Sequence, residues 1–180
     1  MSDTADDPMG DPLVDLVVEE PGWERALPDL GDVATLAAEL ALDAAGTPAD
    51  RFAISLLACN DDRIGALNAQ FRGRPKPTNV LSWPAFPLAP PGPGQPPPQP
   101  PVDGASGDRQ PLGDVAIALE TVVREAEQRG FPLKNHATHL ILHGCLHLLG
   151  YDHQIPQDAV LMEDLERRAL ARAGIPDPYE

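Results

Sequence analysis

The sequence predicts a single domain of mixed helices and strands, and three observations carry that expectation. Its 180 residues fit one domain, and a hydrophobic content of 42% is enough for a core. Four short runs along the chain have strand character, either β-prone or continuously apolar. Five longer stretches show helical spacing or helix-end residues.

In chain order, residues 14–19 (VDLVVE) read as a first strand. Residues 31–46 carry Val33, Leu36, Ala37 and Leu40 at helical spacing, with Gly46 as the C-cap. Residues 51–59 (RFAISLLAC) suit a buried strand. Asn60 or Asp61 then caps a helix running to about Arg72, which Gly73 ends. Residues 79–83 (NVLSW) and 114–117, after Gly113, give two more strands. Residues 118–129 form a polar-faced helix closed by Gly130, and residues 133–149 a helix closed by Gly150. The last helix, about 157–173, has Val160, Leu161, Leu165 and Ala169 on one face and stops at Gly174 and Pro176.

Two stretches break the pattern. Residues 1–12 are acidic and expected to be disordered; without a basic start and an apolar stretch they are no signal peptide. The rest, 13–180, is the domain, with a proline-rich insertion at about 85–111 that includes PLAPPGPGQPPPQPPVDGASGDRQP. Such a segment is expected on the surface, extended as polyproline II or disordered, and unable to pack a core; a ligand for a proline-binding partner is the alternative role.

Composition excludes several classes. A formal net charge of -15 argues against a nonspecific nucleic-acid binder, DNA included, while leaving room for a local basic patch. No apolar run approaches the roughly 18–20 residues of a membrane span. Two cysteines, Cys59 and Cys145, make no disulfide framework and read as reduced thiols of a cytoplasmic protein.

Residues 143–153 read HGCLHLLGYDH. His143 and His147 are four apart and share a helix face, the spacing at which two imidazoles bind one metal ion. Gly150 ends the helix, and His153 can swing back as a third ligand. Three histidines leave a fourth position open, as in catalytic zinc sites, so one Zn²⁺ per chain is expected. The spacing matches the metzincin pattern H-E-x-x-H-x-x-G-x-x-H except that Gly144 replaces the glutamate base. A metallohydrolase acting on peptide or amide bonds is thus the alternative, lacking its base in the motif. His139 lies one turn before His143, as a supporting or packing residue, a substrate contact or a direct ligand, and His136 reads as a surface residue at the helix start. Asp152 either orients an imidazole or bonds the turn, and Cys145, off the ligand face, is expected buried.

Arg72, Arg74 and Lys76 in FRGRPKPTNV (71–80) form a basic spot in an acidic chain. They are either a solvated helix end and loop or a phosphate clamp, for which the planar guanidinium is suited. A metal centre beside an arginine fits phosphodiester cleavage, where charge builds on phosphoryl oxygens.

HGCLHLLGYDH resembles the signature of the YbeY family of bacterial endoribonucleases, HGxLHLxGYDH. LNAQFRGRPKPTNVLSWP (67–84), LGDVAI (112–117) and MEDLERRALARAGIPDPY (162–179) are similar to further segments of that family, in the same order. Trp83 stands where phenylalanine is usual, and the proline-rich connection is longer than usual. The resemblance implies an α+β fold, a small mixed four-stranded sheet flanked by about five helices, of zinc-hydrolase type. It implies zinc on His143, His147 and His153 and a functional role for Arg72; the residues themselves add Arg74, Lys76 and His139 as candidate substrate contacts. It further implies cleavage of single-stranded RNA in small-subunit (16S) rRNA 3′-end maturation and ribosome quality control, in the cytoplasm, with the ribosome or ribosomal proteins as partners.

Overall fold

The computed structural model describes residues 10–104 and 107–180. The expected disorder of 1–12 falls, except for residues 10–12, outside the described residues. Strands β1 (Val14–Val18), β2 (Phe52–Cys59), β3 (Val80–Pro84) and β4 (Gln110–Ala118) form one sheet in the order β1-β2-β4-β3. β1 and β4 run parallel to β2, and β3 runs antiparallel to β4, so the sheet is mixed. Helices α1 (Gly22–Ala26), α2 (Leu30–Ala44), α3 (Asp61–Arg72), α4 (Leu119–Arg129), α5 (Leu133–Leu148) and α6 (Pro156–Arg172) surround it, making the fold α+β.

Helix α1 is an addition to the expected set. Its five residues are too few to show a period, and a tertiary contact holds it instead: buried Trp23 donates its indole N–H to the Cys59 carbonyl at 2.9 Å. α3 follows its sequence signals closely. The Asn60 side chain accepts from the Arg63 N–H at 2.9 Å, and Gly73 closes the helix in the left-handed region.

The core lies between one face of the sheet and helices α2, α5 and α6. α2 contributes Ala34, Ala37, Ala38 and Ala41, all fully buried, whose small side chains let α5 approach closely. The opposite face has a smaller cluster, Cys59, Leu81, Ala116 and Ala118, beneath Ile64 of α3. Strand alternation divides β3: Val80 packs into the main core, Leu81 and Trp83 under α3. Gly144 of α5 sits directly on the sheet. A Cβ there would lie 3.0 Å from Val115 Cγ1 and 3.3 Å from Val80 Cγ2, so the glycine sets how closely α5 rests on β3 and β4.

The proline-rich segment corrects an expectation. Residues 85–104 form no helix or strand, yet they dock along the domain, while Gln110 and Pro111 join β4. Phe86 packs on the core, and Pro97 and Pro100 are buried. Gln99 accepts from the Thr47 hydroxyl at 2.7 Å and donates to the Ala45 carbonyl at 2.9 Å, while the Gly94 N–H donates to Asp158 at 2.7 Å. Prolines restrict the unfolded chain, so ordering such a segment costs less entropy than ordering a flexible loop.

Candidate metal centre

Helix α5 carries His143 and His147 one turn apart, with their Nε2 atoms 3.0 Å from each other. Gly150 then leaves the helix at φ +92°, in a conformation that L side chains rarely adopt. The turn returns His153 to the pair, its ring centroid 5.2 Å from that of His143 and 5.1 Å from that of His147. One nitrogen from each of the three lies within 4.8 Å of the others.

Hydrogen bonding fixes the tautomers. The His147 Nδ1 is 2.8 Å from the Tyr151 carbonyl, which only accepts, so Nδ1 carries the proton. The His143 Nδ1 donates to the Glu166 carboxylate. Both Nε2 atoms are then bare, and their lone pairs face each other across 3.0 Å. That arrangement is repulsive without a cation between them. Tetrahedral zinc, with Zn–N bonds of about 2.0–2.1 Å, sets two ligand nitrogens roughly 3.3 Å apart, close to what is observed. Burial pushes the His147 imidazole down to about 4, so it is in its neutral, ligand form at pH 7. The residues therefore fit a divalent cation, and the all-imidazole donor set suits zinc.

Glu166 is the functional-site residue that sequence reasoning missed. Its side chain is 0% exposed and reaches both His143 and His139 from α6. Burial alone would raise its carboxyl, but the hydrogen bonds from His139 and His143 outweigh that and hold it below the usual carboxylate range. The signal was present: Met162, Leu165, Glu166 and Ala169 occupy one helical stripe, all buried. A carboxylate inside an apolar stripe marks a buried ion with partners.

His136 is not at the surface as expected. Its side chain is 3% exposed and bonds Glu125 at 2.8 Å, because α4 covers that end of α5. Burial lowers its pKa, against the pull of Glu125. Cys145 is buried, with its thiol pushed up to about 12 by desolvation. Asp152 bonds the turn, accepting from the His153 N–H at 2.7 Å.

Two clefts meet at the histidines. One, of about 790 Å³, is lined by Arg72, Arg74, Ser82, His147, Asp152 and His153. The other, of about 540 Å³, is lined by His139, His143, His153, Glu163, Glu166 and Tyr179, among others. Arg72 reaches over the edge strand, its Nη2 donating to the Ser82 carbonyl at 3.4 Å. Sequence and fold thus bring Arg72 and Arg74 to the same cleft as His147 and His153. Lys76 lines neither cleft and is exposed. His139 is buried against Glu166 at 3.3 Å and lines the second cleft. Position 144, where metzincins carry their base, faces Val115 and Val80 of the sheet, with no room for a glutamate.

The family model described as Endoribonuclease YbeY matches residues 24–174. The chain belongs to the YbeY family. The Endoribonuclease YbeY of Cereibacter sphaeroides is 51% identical over 169 residues, which cover 94% of this chain and 99% of that one. That of Ruegeria pomeroyi is 53% identical over 170 residues, covering 92% and 97%. A solution structure from Thermotoga maritima is 19% identical, covers 89% of this chain and 91% of its own, and superposes with a TM-score of 0.48.

Proposed function

We propose that the chain is a zinc-dependent endoribonuclease of single-stranded RNA, acting in maturation of the small-subunit rRNA 3′ end and in ribosome quality control in the cytoplasm, with ribosomal proteins as partners. The observation that carries this reading is one cleft lined by Arg72 and Arg74 together with His147 and His153 of the three-histidine cluster. The printed names of the relatives, Endoribonuclease YbeY, agree with it.

A divalent cation on His143, His147 and His153 supplies Lewis acidity toward a phosphoryl oxygen. The residues of the chain do the rest. Glu166 and the Tyr151 carbonyl hold the protons of His143 and His147 on Nδ1, which keeps each Nε2 free. Arg72 and Arg74, which line the same cleft as His147 and His153, offer guanidinium donors to the phosphate and stay charged at any working pH. RNA brings its own nucleophile, the 2′-OH, so internal attack leaves a 2′,3′-cyclic phosphate, whereas attack by water does not. The net charge of -15 repels RNA at long range, so capture relies on these local arginines and on delivery by a partner. Among the described residues no helix is long and apolar enough to cross a membrane.

The test is cleavage of a labelled single-stranded RNA oligonucleotide by the zinc-loaded chain, with its duplex, a DNA of the same sequence and an unstructured peptide alongside. Cleavage confined to single-stranded RNA and abolished by EDTA is expected, and mass analysis of the product ends separates the two routes. Cleavage of the peptide with no cleavage of RNA contradicts the reading.

A further inference from the structure

We propose that Glu166 and Tyr179 are positioning residues of the metal centre: residues 175–180 fold back so that the Tyr179 hydroxyl fixes the Glu166 carboxylate, which fixes the His143 imidazole. The inference rests on the reading that His143, His147 and His153 hold a metal ion.

The geometry is a single chain of hydrogen bonds centred on the buried Glu166 carboxylate. One oxygen of Glu166 accepts from the His143 Nδ1–H. The other accepts from the Tyr179 hydroxyl and lies 3.3 Å from the His139 Nε2. A carboxylate with no solvent exposure is costly unless its lone pairs are filled, and three partners fill most of them. With any one missing, the carboxylate is freer to rotate, and the His143 ring with it. The rings pack as well: His139 meets Tyr179 edge-on at 5.6 Å between centroids and His143 at 6.2 Å.

The segment that delivers Tyr179 is separately anchored. Arg167 pairs with Asp177 at 3.0 Å and lies over the Tyr179 ring, 5.1 Å from its centroid. Arg129 donates to the Pro178 carbonyl. Tyr179 reaches the histidines through Glu166, whose carboxylate it bonds. Groups that orient a ligand imidazole typically change metal affinity by about 10–100-fold. Linkage makes the effect reciprocal, so metal binding must also tighten residues 175–180.

The experiment uses the full chain. Zinc affinity is measured by competition with a chromophoric chelator for the wild type, Glu166→Gln and Tyr179→Phe, with circular dichroism to confirm folding. The cobalt-loaded forms are compared by visible absorption, which reads ligand geometry and is unmoved by a loss of global stability. Amide exchange of residues 175–180 is followed with and without zinc. Glu166→Gln is expected to weaken zinc about 10–100-fold. Tyr179→Phe, which keeps the ring and removes only the hydroxyl, is expected to give a smaller loss in the same direction and an altered cobalt spectrum. Zinc is expected to slow exchange in 175–180. Should Glu166→Gln fail to fold, Tyr179→Phe alone decides. Folded variants that bind zinc as tightly as the wild type, with its cobalt spectrum, overturn the inference and leave the metal centre standing. A wild type that binds no zinc overturns the metal centre itself.

Discussion

The histidine cluster and the arginines of the neighbouring cleft are held by opposite means. His143 and His147 stand on α5, the most buried helix, and each Nδ1 is committed to a fixed acceptor, Glu166 or the Tyr151 carbonyl. Arg72 and Arg74 lie at and just beyond the end of α3, both exposed, and Arg72 makes one long 3.4 Å bond to the Ser82 carbonyl. On the proposed function, the difference follows from what each group would bind. A metal needs donors aimed at one point, and aiming three imidazoles requires packing and hydrogen bonds. A phosphate strand must enter and leave, and hydrated guanidiniums capture it without being buried.

The largest way to break this contrast is on the histidine side. His143→Ala is expected to reduce RNA cleavage to background and to remove the rise in melting temperature that zinc gives the wild type. Calorimetry with and without zinc checks this. Next comes Gly150→Ala, which leaves all ligands in place. Its Cβ would lie 2.0 Å from the Leu88 carbonyl oxygen, at φ +92°, so the turn that returns His153 must shift. Strain and overpacking together cost about 3 kcal/mol or more, or roughly 6–12 °C in melting temperature.

Arg72→Ala sharpens the contrast from the other side. Loss of a charged hydrogen bond costs about 1.5–3 kcal/mol, hence roughly a 10–100-fold fall in kcat/KM, while zinc affinity stays at the wild-type value. A shallower salt dependence of RNA binding accompanies it. The smallest effect concerns pH. His136 is buried with its pKa below the ordinary value, so the unfolded chain binds its proton more readily than the folded one. Its contribution to stability is therefore intact above the unfolded pKa of about 6.5 and is lost as pH falls toward the folded value, at up to about 1.4 kcal/mol per pH unit. Melting curves from pH 7 to 5 should fall more steeply for the wild type than for His136→Gln.

The parts legible in the sequence were those with local signals. Gly73, Gly130 and Gly150 each mark a helix end through a positive φ, and the spacing of His143, His147 and His153 survives as a spatial cluster. What stayed hidden depends on contacts between distant segments. Helix α1 exists because Trp23 finds the Cys59 carbonyl. The proline-rich segment docks because Gln99 meets the turn after α2 and Gly94 meets α6. His136 is buried because α4 lies beside it, which its position at a helix start does not reveal. Glu166 was the intermediate case. Its place in an apolar stripe was visible, but the histidines that explain it lie more than twenty residues away along the chain.

The most direct measurement takes zinc content and single-stranded RNA cleavage together, on the purified wild type, His147→Ala and Arg72→Ala. The expected result is one zinc per wild-type chain with cleavage, no zinc and no cleavage for His147→Ala, and full zinc with strongly reduced cleavage for Arg72→Ala. Cleavage undiminished in either variant, or zinc lost along with Arg72, would contradict the division of labour between the two groups.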